Sequence, residues 1–81
     1  MEVTLKLNRV GMTMEEATLT RWRVRPGDRF SKGDVLYEIE TEKVVEEVTA
    51  PSAGTMLEVL VAQDEEVAVG DDVCVIEIVP P

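Results

Sequence analysis

Eighty-one residues provide for one small domain with a single core. An apolar content of 44% separates the chain from compositionally disordered sequences, despite a formal charge of −9. That charge argues against a nucleic-acid partner, because phosphate binding needs a cationic face. All eight Lys and Arg lie at or before Lys43 and are matched there by eight acids, whereas residues 44–81 carry nine acids and no base. Such a surface steers toward itself any partner with basic patches, although acidity also serves solubility alone.

Short alternating runs between turn residues predict an all-β fold. Val3, Leu5 and Leu7 alternate with polar neighbours as a first strand, and residues 8–17 read as a long exposed loop. Thr18–Val24 is a second strand, with Trp22 and Val24 on one face. Arg25-Pro26-Gly27-Asp28 and Ser31-Lys32-Gly33-Asp34 are turns, the second leading into a strand with Val35, Tyr37 and Ile39 on one side and Glu38 and Glu40 on the other. Val44–Thr49 is the next strand, Ala50–Gly54 a loop, and Thr55–Val61 a further strand. Gln63–Glu66 and Val69–Asp72 read as turns before a closing strand, Val73–Val79. Pro80-Pro81 cannot extend a central strand, so we expect one domain over 1–79 and a domain end or linker at 80–81. Met12–Ala17 is too short for a stable helix.

The chain repeats itself. Shifted by 37 positions, Ala17–Glu40 falls on Gly54–Glu77 without a gap: Thr18 meets Thr55, Gly33 meets Gly70, Asp34 meets Asp71 and Glu40 meets Glu77. Each half supplies about four strands and cannot bury its apolar face alone, so the halves pack together about an approximate two-fold axis. Position 43 maps onto position 80, so the central hairpin and the chain end occupy separate, symmetry-related places. Gly33 and Gly70 are expected at positive φ before a strand, and Gly54 at a close backbone approach. Trp22 and Val59 are expected in the core, as is Cys74, the single cysteine, which forms no internal disulfide. The N-terminus lacks the pattern of a signal peptide and no apolar run is long enough to span a membrane, so the expected location is the cytoplasm, or the mitochondrial matrix if the chain is eukaryotic and processed.

Catalytic parts are scarce. No histidine is present, which excludes His-based dyads and imidazole metal sites. Adjacent acids such as Glu46-Glu47 point to opposite strand faces and lack calcium-loop spacing, so no metal is expected. Lys43 stands in Glu40-Thr41-Glu42-Lys43-Val44, with Glu46 and Glu47 following. Nucleophilic lysines need apolar burial or a cationic neighbour, whereas these carboxylates stabilise the ammonium form. A group bonded to this amine has to be attached by another protein. A solvated charge that blunts a sheet edge is the simpler role for such a lysine.

These features resemble the lipoyl domains of the 2-oxo acid dehydrogenase complex acyltransferase component, within the biotinyl/lipoyl-attachment family. The likeness rests on Gly11-Met12-Thr13-Met14-Glu15-Glu16-Ala17-Thr18, Glu38-Ile39-Glu40-Thr41-Glu42-Lys43, Ala50-Pro51-Ser52-Ala53-Gly54 and the Gly-Asp turns. The family usually has Asp before the lysine, where this chain has Glu42. Biotinyl domains place their lysine between two methionines, whereas here the flanks are Glu42 and Val44.

The resemblance implies a flattened eight-stranded barrel-sandwich hybrid of two four-stranded sheets with internal pseudo-two-fold symmetry. It also implies lipoate joined by an amide to Lys43, with Glu40, Thr41, Glu42 and Val44 forming the hairpin that a lipoate ligase or lipoyl transferase reads. Gly11, Met12, Thr13, Met14, Glu15 and Glu16 would form the surface that a thiamine-diphosphate-dependent decarboxylase recognises. The arm would be acylated there, deliver its acyl group to the acyltransferase core and be reoxidised by dihydrolipoamide dehydrogenase. On this reading the chain is a monomeric, non-catalytic carrier. A biotinyl carrier and an unmodified docking module of the same fold are the alternatives.

Overall fold

A computed structural model describes residues 1–8, 15–42 and 44–79. Eight strands follow in chain order: β1 (Glu2–Lys6), β2 (Glu16–Trp22), β3 (Arg29–Phe30), β4 (Val35–Glu40), β5 (Val45–Thr49), β6 (Gly54–Val59), β7 (Glu65–Ala68) and β8 (Asp72–Ile78). They form two antiparallel four-stranded sheets, β1-β8-β6-β3 and β5-β4-β2-β7, with no helix among the described residues. The sheets face each other without closing into a continuous hydrogen-bonded ring, as in a flattened barrel-sandwich.

Replacing each of β1 to β4 by the strand four places on, and the reverse, converts one sheet order into the other. The equivalence extends to single hydrogen bonds. The Asp34 amide donates to the Ser31 carbonyl and the Asp71 amide to the Ala68 carbonyl, both at 3.0 Å. Gly27 and Asp64, also 37 residues apart, donate to the carbonyls of Met56 and Leu19, each at 2.7 Å. Gly33 and Gly70 have φ of 89° and 95°, as their place in the turns requires. Two-fold packing of the repeated halves is therefore observed.

Alternation sends one side of each strand inward. Leu19, Leu36, Ile39, Met56, Val73, Cys74 and Ile76 are sealed from solvent, with Leu7, Phe30, Tyr37 and Val67 around them. Two adjacent pairs, Leu36-Tyr37 and Val73-Cys74, break the alternation. Each contains a residue skipped in the neighbouring register, Leu36 between β4 and β5 and Val73 between β8 and β1. A bulge of this kind turns both members inward. Trp22 and Val59 are only partly buried and pack against this core from its edge. The Trp22 indole lies 5.1 Å from the Tyr37 ring, centroid to centroid, and donates from Nε1 to the Val61 carbonyl at 2.8 Å.

Several boundaries differ from expectation. The strands expected to end at Val24 and Val61 stop at Trp22 and Val59, and elsewhere strands reach into stretches read as loop or turn. The strand expected at Thr18 begins at Glu16, because Glu16 and Ala17 pair with Ala68 and Val67. The stretch read as a turn at 63–66 gives its last two residues to β7 for the same reason. Gly54 opens β6 instead of ending a loop, since it pairs with both Phe30 and Ile78. In the last three cases a cross-strand partner overrides local turn composition.

Candidate functional site

The β4–β5 hairpin carries the candidate site. Its last ladder pair is Glu40–Val45. Beyond it the Thr41 amide donates to the Val44 carbonyl at 2.8 Å, and the Val44 amide donates back to Thr41 Oγ1 at 3.2 Å. These bonds clamp the strands together, and the chain between Thr41 and Val44 consists of Glu42 and Lys43 alone. Lys43 lies outside the described residues, as do Gly11, Met12, Thr13 and Met14 of the expected recognition surface. Glu40, Glu42, Val44 and Val45 are exposed, the two valines by 45% and 62%. Apolar side chains held in solvent are costly at a hairpin end, and these two stand beside the lysine position. The equivalent clamp elsewhere joins the Ile78 amide to the Met1 carbonyl at 2.8 Å, so the hairpin and the strand ends hold equivalent places.

Beside the hairpin a groove of about 530 Å³ runs along the outer face of its sheet, lined by Glu16, Ala17, Thr18, Thr20, Glu40, Thr41, Glu42, Asp64 and Glu66. The fold thus brings Glu16 to the hairpin residues Glu40, Thr41 and Glu42. Glu15 is exposed, and its carbonyl accepts the Val69 amide at 2.8 Å. The Glu16 carboxyl is held above the ordinary carboxylate range, first by a hydrogen bond with the Glu66 carboxyl and then by its charge, with burial and Glu15 adding to both.

A second groove, also about 530 Å³, is lined by Arg29, Phe30, Ser31, Ala53, Gly54, Thr55 and Val79. Five of these lie 37 residues from a lining residue of the first: Ala53 answers Glu16, Gly54 Ala17, Thr55 Thr18, Val79 Glu42, and Arg29 Glu66. The same architecture therefore forms with no carboxylate along that second groove. Acidity belongs to the hairpin side and is not a demand of the fold.

Sequence reasoning missed Thr20, Asp64 and Glu66 as neighbours of the hairpin. The repeat held a signal for one of them: Asp64 aligns with Gly27 and adopts φ of 70°, a conformation its mate reaches at 94° with no side chain. No group of three or more metal-ligating side chains forms among the described residues.

An all-β sandwich of two equivalent halves, presenting a clamped hairpin with a single lysine position, defines a class of protein that displays a covalently held group to others. A family model described as biotin-requiring enzyme matches residues 3–76, and the chain belongs to this biotin/lipoyl-attachment family. It is 39% identical over 71 residues to the dihydrolipoyllysine-residue succinyltransferase component of the 2-oxoglutarate dehydrogenase complex of Cupriavidus necator, covering 88% of this chain and 17% of that one. Over 76 residues it is 38% identical to the dihydrolipoyllysine-residue acetyltransferase component of the pyruvate dehydrogenase complex of Zymomonas mobilis, covering 93% and 17%. The solution structure of the lipoyl domain of the 2-oxoglutarate dehydrogenase complex from Azotobacter vinelandii has the same fold, with a TM-score of 0.78 at 24% identity over 93% of this chain and 95% of that one. The chain thus spans under a fifth of the length of these two curated relatives. A lipoyl domain carries; it does not itself catalyse.

Proposed function

We propose that Lys43 is the attachment point for lipoate, through an amide, and that the domain carries acyl groups between active sites of a 2-oxo acid dehydrogenase complex. The observation that carries this reading is the hairpin clamp: Thr41 and Val44 are locked together while Glu42 and Val44, the chain neighbours of Lys43, stand in solvent. The residues fit the group, because a primary amine is the one function an amide link needs and neither described flank is enclosed. Bound there, the dithiolane supplies a disulfide able to accept an acyl group together with two electrons.

The chain's own part is presentation. The sandwich presents the arm from a hairpin clamped at Thr41 and Val44, and tethering replaces bimolecular encounter with a high effective concentration at each partner. The amine lies among carboxylates in sequence, so the ligase has to remove its proton. Glu40, Thr41, Glu42 and Val44 are the hairpin that the ligase reads, and Glu15 and Glu16, with Gly11–Met14, contribute to the surface read by a thiamine-diphosphate-dependent decarboxylase. An acyltransferase core and a flavin-dependent dehydrogenase complete the circuit. The relatives at 38–39% identity are named for a dihydrolipoyllysine residue, and the Lys43 flanks are not methionines, which together favour lipoate over biotin.

Co-expression with a lipoate ligase and lipoate tests the assignment. Intact mass is expected to rise by one lipoyl group, mapped to Lys43 and absent in Lys43→Gln, whose β-type circular dichroism stays unchanged. An unshifted mass in the presence of active ligase refutes it, and biotin uptake under matched conditions transfers the site to biotin.

A further inference from the structure

One row of outward-facing residues crosses the hairpin end of its sheet. The ladder pairs Val45 with Glu40, Glu40 with Thr18 and Thr18 with Glu66, so the four stand in line across β5, β4, β2 and β7. Their chain neighbours Ala17, Ile39 and Val67 are buried, which sends the row to the outer face. The other sheet holds the same row: Glu2 pairs with Glu77, Glu77 with Thr55 and Thr55 with Arg29. Glu77 and Thr55 follow Glu40 and Thr18 by 37 residues, and Arg29 precedes Glu66 by 37. Val45 and Glu2 therefore occupy equivalent places at the ends of the two rows. Both stand on edge strands and both are exposed, Val45 by 62%.

A sheet edge in water is ordinarily kept polar, because open backbone groups beside an aliphatic side chain invite unwanted pairing. β1 obeys with Glu2, and so shows that this place in the fold is filled without apolar surface. β5 does not: Val45 holds an aliphatic side chain in solvent, at a cost that folding does not demand. Its neighbours on the same face, Glu40 and the outward pair Glu38–Glu47, are all carboxylates. A second copy is disfavoured as the cover, because a two-fold contact through β5 would bring Glu47 toward its own equivalent between chains of net charge −9.

The hairpin supplies an occupant of its own. Lys43 precedes Val45 by two residues, a backbone span of at most roughly 7 Å, so a group carried on its side chain has Val45 close to its root. A lipoyl arm is uncharged and mostly aliphatic, and the amide that joins it removes the ammonium charge. On the far side of Glu40 the groove presents Glu16, Asp64 and Glu66, from which a neutral chain gains nothing. Val44 and Val45 are the exposed apolar side chains beside the root. Tethering gives the arm a high effective concentration at a contact too small to hold a free ligand. We propose that Val45, with Val44 beside it, is the resting surface of the lipoyl arm, which covers this end of β5 between encounters and leaves it when a partner takes the arm. This rests on the carrier function proposed above.

The test compares unmodified and lipoylated forms of the isotope-labelled domain by nuclear magnetic resonance. Val45→Glu installs the residue of the equivalent place, and Val45→Thr keeps an uncharged β-branched side chain should the added carboxylate disturb the strand. In the lipoylated parent, nuclear Overhauser contacts are expected between the arm's methylene protons and the methyls of Val45 and Val44. Lipoylation is expected to shift the Glu40 amide signal and leave those of Glu2 and Glu77 in place. Val45→Glu loses the Glu40 shift and the contacts to Val44, Val45→Thr weakens them, and in both the arm's resonances sharpen toward those of free lipoamide. Both variants are lipoylated at the parent rate. A parent whose arm makes no contact with Val45, or arm resonances equally sharp in parent and variants, overturns the proposal. So does slower lipoylation of the variants with unchanged arm signals, which gives Val45 to the ligase, or a parent that sediments as a dimer and becomes monomeric in Val45→Glu. A parent that active ligase leaves unmodified removes the carrier reading itself, and the arm with it.

Discussion

Gly54 shows how one missing side chain can hold two strands in place. A Cβ built there would overlap the Glu77 carbonyl and crowd the Ile78 Cα, both of them backbone atoms that cannot swing aside. Gly54→Ala is therefore expected to lower stability on the order of 3 kcal/mol, toward the upper end of the usual cost of overpacking, as read by urea denaturation. This close approach was legible in the sequence because Gly54 follows the Pro51 loop and precedes an alternating run. Asp64 was not read in the same way. Its positive φ follows from being the structural mate of Gly27, and the local string Gln63-Asp64-Glu65 carries no glycine to announce it.

Among the elements, the turns before β4 and β8 are built alike. Asp34 accepts the Ser31 amide on a carboxylate oxygen at 2.8 Å, and Asp71 accepts the Ala68 amide at 3.1 Å. Each side chain satisfies a backbone donor that the tight turn leaves free. Asp34→Ala and Asp71→Ala are each expected to cost about 1 kcal/mol, nearly equal in size, in thermal melts of the single variants. A large inequality between them would mean that the halves are alike in outline and unlike in energetics. The Gly-Asp signature made both turns readable in advance. The short strands β3 and β7 were not readable as strands, because two and four residues carry too little periodicity. They exist through their neighbours, Arg29 and Phe30 on Thr55 and Gly54, and Glu65–Ala68 on β2.

In the molecule as a whole, burial fixes two protons. The interior raises the Cys74 thiol from 9.0 to about 11 through desolvation. It raises the Tyr37 phenol from 10.0 to about 12, through desolvation and then the nearby Cys74. Both values are higher in the folded chain than in the unfolded one, so the folded state keeps these protons longer. Their contribution is complete below about pH 9 and is lost as pH rises toward 11 to 12. The melting temperature is expected to be level from pH 7 to 8.5 and to fall steadily above pH 9. A thiol reagent at neutral pH should label Cys74 only after unfolding. A thiol that reacts in the native protein would contradict the sealed core from which both shifts arise.

The sequence by itself determined the all-β class, the duplication, both Gly-Asp turns, the aliphatic core and the family resemblance centred on Lys43, because these depend on periodicity, turn chemistry and order along the chain. Only the tertiary structure decided which carboxylates share a groove with Thr41, where β2 and β7 begin, and that Val45 and Glu2 hold equivalent places on two sheet edges. Those are relations between residues up to tens of positions apart, set by which strand edges pair and by bulges that turn neighbouring side chains to one side, and a linear string does not contain them.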